Sequence, residues 1–175
     1  MKKTIIFYLN NDEIFTFPIA LFLIKKLSLK YNIKIKLANT SIRKKIKIIL
    51  IFILYGSIKY LFKYYNKKKS IDELLSFKNV DLITKDINNK FEFGISLNYP
   101  NRILNKKLNI YNFHLGDFTH QRGTFIFFYK YIFKWKSIDF TFHKINDKLD
   151  SGKIINKRKI ILKKINSINL IALTL

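Results

Sequence analysis

Asn112-Phe113-His114 and, further along the chain, Leu149-Asp150-Ser151-Gly152 supply an amide, an imidazole and a carboxylate. Those three groups are the minimum set for moving an acyl group onto an amine, provided the fold brings them together. Each also has a plain structural reading. Asn112 at a strand end closes a turn, His114 is a hydrogen-bonded structural histidine, and Asp150 before Ser-Gly is a turn residue. His120 and His143 read as structural histidines. With three histidines in all and no paired spacing such as His-Glu-x-x-His, no metal site is expected. The chain has no cysteine, which excludes disulfides, thiolate metal sites and a cysteine nucleophile.

The elements that must position these groups follow from hydrophobic periodicity. Residues 4–9 read as a continuously apolar, buried strand. Asn10-Asn11-Asp12 then supplies loop and cap chemistry before a helical run from Ile14 to Leu29, with Pro18 in its first turns. Ile33 to Leu37 alternates with Lys34 and Lys36, which predicts a half-exposed edge strand. A helical segment follows from Arg43 to Tyr65, and Ser70-Ile71-Asp72-Glu73 resembles a capping box that opens a short helix. Strands are predicted at 80–84, 91–97 and 108–113, the last carrying Asn-x-His to its end. A very aromatic helix spans 124–135, strands cover 138–145 and 153–162, and Asn166-Ser167 caps a further helix. Strands alternating with helices predict an α/β protein of one domain: a mostly parallel, Rossmann-like sheet with helices on both faces, whose ligands bind beyond the carboxyl ends of the strands.

Charge sets the class of partner. Thirty-four Lys and Arg against eleven Asp and Glu leave a formal net charge of +23, which favours anions such as nucleic acid, anionic lipid or a nucleotide-linked substrate. Compositional drift is the other explanation, since Lys, Ile, Asn and Phe are inflated together. The uncharged middle of the long helix, Ile48 to Ile58, is shorter than the roughly 20 residues that span a bilayer. Basic residues flank it, so residues 43–69 read either as peripheral contact with an anionic membrane or as a core helix with solvated ends. The basic amino terminus runs into Asn10-Asn11-Asp12-Glu13 too early for an export signal, and a cytoplasmic location is the expectation.

Taken in order, Asn112-x-His114, Arg122-Gly123 and Leu149-Asp150-Ser151-Gly152-x-Ile154-Ile155 resemble the N-terminal catalytic domain of the formyltransferases, with methionyl-tRNA, aminosugar-nucleotide and glycinamide-ribonucleotide enzymes among them. The resemblance covers residues 80–165 most closely. It implies transfer of a formyl group from 10-formyltetrahydrofolate to a primary amine without a metal, and a chain that carries the catalytic domain over 1–175 and lacks the family's C-terminal domain. On this resemblance Asn112 and a protonated His114 donate to the oxygen that becomes negative, and Asp150 stabilises the imidazolium and receives the amine's proton. The pterin of the formyl donor is held by backbone groups around Ser96, Leu97 and Tyr99, and by Ile145 and Asn146 upstream of Asp150.

The acceptor expected on these grounds is an anionic amine, foremost an aminosugar nucleotide, with methionyl-tRNA as the alternative. A reading of another class is a non-catalytic basic protein that binds membrane or nucleic acid on the same fold. It is motivated by the basic helix and by Leu115-Gly116-Asp117-Phe118-Thr119-His120-Gln121, where the family carries a Leu-Leu-Pro-like loop.

Overall fold

Strand β1 (Thr4–Asn10) is apolar from Ile5 to Leu9, and every residue after Thr4 is buried. Burial on both faces is what a strand in the middle of a covered sheet requires. A computed structural model describes residues 2–11, 16–54, 68–84, 91–103, 109–117, 134, 136–146 and 152–161 of the 175. The described residues form one seven-stranded mixed sheet in the order β3 (Val80–Ile83), β2 (Asn32–Ala38), β1, β4 (Gly94–Leu97), β5 (Ile110–Leu115), β6 (Ser137–Lys144) and β7 (Ile154–Ile161), and the fold is α/β. The chain divides into two compact units, Met1–Ile110 and Tyr111–Leu175.

In the first unit β1 is flanked by β2 (Asn32–Ala38) and β4 (Gly94–Leu97), and β2 carries β3 (Val80–Ile83); all three pairings are parallel. Parallel neighbours need crossovers, and helices supply them. Helix α1 (Thr16–Leu27) joins β1 to β2, and buries Phe17, Ala20 and Ile24 at helical spacing. Lys25 and Lys26 fill its last turn, where cations complement the helix dipole. Helices α2 (Ile42–Leu54) and α3 (Lys68–Leu75) lie between β2 and β3 in the chain, and α3 packs against α1 and β3 with Leu74 buried. Ser70 lies inside the first turn of α3, not at its cap.

Two expectations change. The alternation at Lys34 and Lys36 predicts an edge, yet β2 is internal and four-residue β3 is the edge. The alternation marks one half-exposed face of β2, on which Lys34 Nζ reaches Asp81 Oδ2 of β3 at 2.6 Å. Strand β4 begins at Gly94, later than Phe91. Upstream of it only single bonds reach β1, such as Glu92 N–H to the Thr4 carbonyl at 2.8 Å.

The second unit is antiparallel. β5 (Ile110–Leu115) enters it, β6 (Ser137–Lys144) pairs with β5, and β7 (Ile154–Ile161) pairs with β6. β5 starts and ends two residues later than expected, so Asn112 and His114 lie inside the strand and His114 is its penultimate residue. The helices expected at 124–135 and after Asn166, and the part of the long helix beyond Leu54, lie outside the described residues.

Candidate functional site

Strand alternation sorts the β5–β6 pair into two faces of opposite character. Tyr111, Phe113, Phe140 and Phe142 share one face, with ring centroids 5.4 Å apart for Tyr111–Phe142 and 4.5 Å for Phe113–Phe142. Asn112, His114, Asp139, Thr141 and His143 share the other, with Asn112 directly opposite His143 and His114 opposite Thr141. His114, Asp139, Thr141 and His143 are buried. Buried polar groups need partners: Thr141 and His143 find theirs in the backbone and in Asn112, and Asp139 finds one in Lys157 of the neighbouring strand.

The opposed pair Asn112 and His143 is joined by Nδ2···Nε2 at 3.2 Å, while His143 Nδ1 lies 3.2 Å from the Lys144 carbonyl oxygen. The carbonyl only accepts, so Nδ1 carries the proton and Nε2 accepts from the Asn112 amide. One tautomer of His143 therefore fixes which way round the Asn112 amide sits. An amide nitrogen has two hydrogens, and this contact uses one of them.

The turn leaving β5 is held by the same face. Thr141 Oγ1 donates to the Gly116 carbonyl at 2.6 Å, and Gly116 N–H donates to the Asp139 carbonyl at 2.6 Å. Gly116 has φ 126°, a conformation that glycine adopts without strain. Lys157 on β7 reaches Asp139 Oδ2 at 3.0 Å and Asp117 Oδ2 at 4.0 Å, tying β7 to β6 and to the residue after the turn.

The connection between β6 and β7 carries the third predicted group. Asp150 itself lies outside the described residues, as do Arg122 and Gly123. The two ends of its segment are described: Lys144 N–H donates to the Lys153 carbonyl at 2.9 Å, and Gly152 is buried against the Lys144 carbonyl, where a Cβ would fall well under 3.0 Å from that oxygen. The glycine of the Leu-Asp-x-Gly run is thus required by packing. A register shift between Phe142 and His143 marks a bulge in the ladder just before it, the kind of irregularity that re-aims side chains.

The first unit holds the other predicted residues. Ser96 and Leu97 are buried at the carboxyl end of β4, Asn98 turns the chain with φ 50°, and the Tyr99 ring meets Tyr8 edge-on at 5.3 Å. At the carboxyl ends of β1 and β2, buried Thr40 donates to Asn10 Oδ1 at 3.0 Å and Asn11 Nδ2 to Asn39 Oδ1 at 2.8 Å. Ile145 is half-buried and Asn146 exposed, directly after β6 in the second unit. Among the described residues no three His, Asp or Glu side chains stand close enough to hold a metal ion.

No protein-family model matches the sequence, and no curated protein matches it. Solved structures do. Glycinamide ribonucleotide transformylase 1 from Geobacillus kaustophilus is 12% identical at TM-score 0.56, over 98% of this chain and 88% of that one. A sugar N-formyltransferase from a Shewanella species is 15% identical at TM-score 0.57, over 98% and 64%. The sugar 3N-formyltransferase WlaRD, solved with dTDP and 5-N-formyl-tetrahydrofolate, is 16% identical at TM-score 0.55, over 93% and 53%. The chain has the formyltransferase fold. It spans less than two thirds of the length of either sugar enzyme.

Within this formyltransferase fold, His143 is a buried, hydrogen-bonded histidine as expected, and what the sequence did not show is that its partner is Asn112. The signal was present in the polar alternation Asp139-x-Thr141-x-His143, which puts His143 on the same face as a paired Asn or His. What the sequence lacked was the register that sets it opposite Asn112.

Proposed function

We propose that the protein is an N-formyltransferase that moves a formyl group from 10-formyltetrahydrofolate to the primary amine of an anionic acceptor, foremost an aminosugar nucleotide. The observation that supports this reading is that half-buried Asn112 and buried His114 share one polar face of the sheet in a formyltransferase fold. The amine nitrogen forms a bond to the formyl carbon, the bond from that carbon to the folate nitrogen breaks, and the products are a formamide and tetrahydrofolate. One proton leaves the amine and one returns to the folate nitrogen, so none is gained or lost.

Each residue has one task in this reading. The second hydrogen of the Asn112 amide and the His114 imidazolium donate to the formyl oxygen as it turns negative, a contribution worth about 3–4 kcal/mol per donor in other acyl transfers. Asp150 receives the amine proton, directly or through water. Backbone groups around Ser96, Leu97 and Tyr99, and around Ile145 and Asn146, hold the pterin. Buried strand-end backbone and an aromatic ring suit a flat heterocycle with alternating donors and acceptors, which supports that part.

Two features support a sugar-nucleotide acceptor: the sugar N-formyltransferases among the structural relatives, one of them solved with dTDP, and a net charge of +23 that draws in a diphosphate. The same charge supports methionyl-tRNA as a second acceptor. The test is to incubate the full chain with 10-formyltetrahydrofolate and dTDP-linked aminosugars, and separately with methionyl-tRNA, following tetrahydrofolate release and formamide by mass spectrometry. Turnover is expected to fall about 10²–10⁴-fold in His114→Ala and Asp150→Ala proteins that keep the wild-type circular dichroism spectrum. Unchanged turnover in either variant would overturn the role given to that residue.

A further inference from the structure

Helix α2 presents an apolar stripe to solvent: Ile42 is 75% exposed, Ile46 53%, Leu50 52% and Ile53 49%. At 100° per residue these four side chains fall within about 80° of helix circumference. They form one continuous strip and are not scattered surface residues. Arg43 and Lys47 border the strip on one side and Lys45 on the other, and the sequence of α2, IRKKIKIILIFIL, contains no acidic residue.

We infer that this face of α2 docks on an anionic lipid surface, with the helix lying in the plane of the membrane and its apolar strip in the boundary between headgroups and acyl chains. Two physical arguments select this occupant. An apolar strip framed by cations on both sides matches a layer that is apolar inside and anionic at its rim, and each Lys or Arg near such a surface adds attraction. A second copy of the chain is disfavoured, because a twofold contact through this strip would bring together two helices whose sequence carries one Arg, three Lys and no acidic residue. The described helix, Ile42–Leu54, is about 20 Å long, shorter than a hydrocarbon core of about 30 Å. No helix among the described residues is long and apolar enough to cross a membrane. The inference stands apart from the formyl-transfer reading and does not depend on it.

The test is co-sedimentation of the full chain with phosphatidylcholine vesicles and with phosphatidylcholine–phosphatidylserine vesicles, at low and high salt. Any protein of charge +23 adheres to anionic vesicles to some degree, so the deciding variant is Ile46→Asn/Leu50→Asn, which keeps every charge. It is expected to fold as the wild type, since both positions are exposed, and to lose about a hundredfold in partitioning to serine-containing vesicles. Arg43→Gln/Lys45→Gln/Lys47→Gln is expected to lose about as much and to flatten the salt dependence. Wild-type-like partitioning of the Asn variant would overturn the inference, leaving diffuse charge as the cause. So would absence of vesicle binding, or a self-association seen by analytical ultracentrifugation that the Asn variant abolishes.

Discussion

Replacing Gly152 by alanine adds one methyl group where the β6–β7 connection has no room. The new Cβ would sit well under 3.0 Å from the Lys144 carbonyl oxygen and 2.7 Å from its carbon, while the next neighbour, the Asn146 nitrogen, stays at an ordinary 3.6 Å. The obstacle is backbone, not the end of a flexible side chain, and that backbone is held by the Lys144–Lys153 hydrogen bond of 2.9 Å. Relief requires that this bond break, at about 1 kcal/mol, and that the chain shift as in an overpacked core, at about 1–3 kcal/mol. Together these come to about 2–4 kcal/mol. In a chain of this length each kcal/mol lowers Tm by about 2–4 °C, so a fall of about 4–16 °C is expected in thermal unfolding followed by circular dichroism. Gly152→Ser should behave alike, and exposed Lys153→Ala should stay within about 0.5 kcal/mol of wild type. A Gly152→Ala protein that melts within a degree or two of wild type would refute the steric reasoning. Because the shifted segment also carries Asp150, formyl transfer below the melting range should fall further than the unfolded fraction explains.

Three other perturbations read the same sheet. Gly116→Ala forces a Cβ onto a residue at φ 126° and should cost about 1–3 kcal/mol, measured as a lower denaturant midpoint with unchanged slope. His143→Leu removes the acceptor of the Asn112 amide and should cost about 1–3 kcal/mol; turnover should drop while the KM for the formyl donor stays near wild type, and an unchanged turnover would detach His143 from the site. Lys157→Met takes the cation from the largely buried Asp139 carboxylate and should cost about 1.5–3 kcal/mol, whereas exposed Lys159→Met, paired with Asp139 only in backbone register, should cost little.

How far the sequence could be read depends on the range of the interaction involved. The continuous apolar run of β1 announces a central buried strand, because burial on both faces removes any alternation, and β1 is central. The alternation of β6 announces a two-faced strand, and its two faces do differ. Lys34 and Lys36 announce a half-exposed face correctly and an edge wrongly, since alternation reports what covers a strand and not what pairs with it. Asn112 and His143 are 31 residues apart, and only the register of β5 on β6 joins them. The uncharged stretch of α2 reads alike whether its apolar side is covered or open; exposure of Ile42, Ile46, Leu50 and Ile53 is a tertiary fact with no local signature.

In the proposed function one face of the β5–β6 pair hosts proton and oxyanion chemistry while the other face supplies stability. An oxyanion donor must be held in one orientation, and holding a polar side chain rigid inside a protein is costly unless every partner is satisfied. Here the two demands fall on opposite faces. The rings of Tyr111, Phe113, Phe140 and Phe142 lock β5 to β6 from one side, where close aromatic pairs add to area burial. That lock fixes the register, and the register alone sets Asn112 against His143 and His114 against Thr141. The Lys144 carbonyl then selects the His143 tautomer, and the tautomer selects the orientation of the Asn112 amide. A slip of one residue in this ladder would move all the polar groups to the aromatic side at once. The aromatic face, which touches no reacting atom in the proposed chemistry, is therefore as much a condition of that chemistry as the amide and the imidazole themselves.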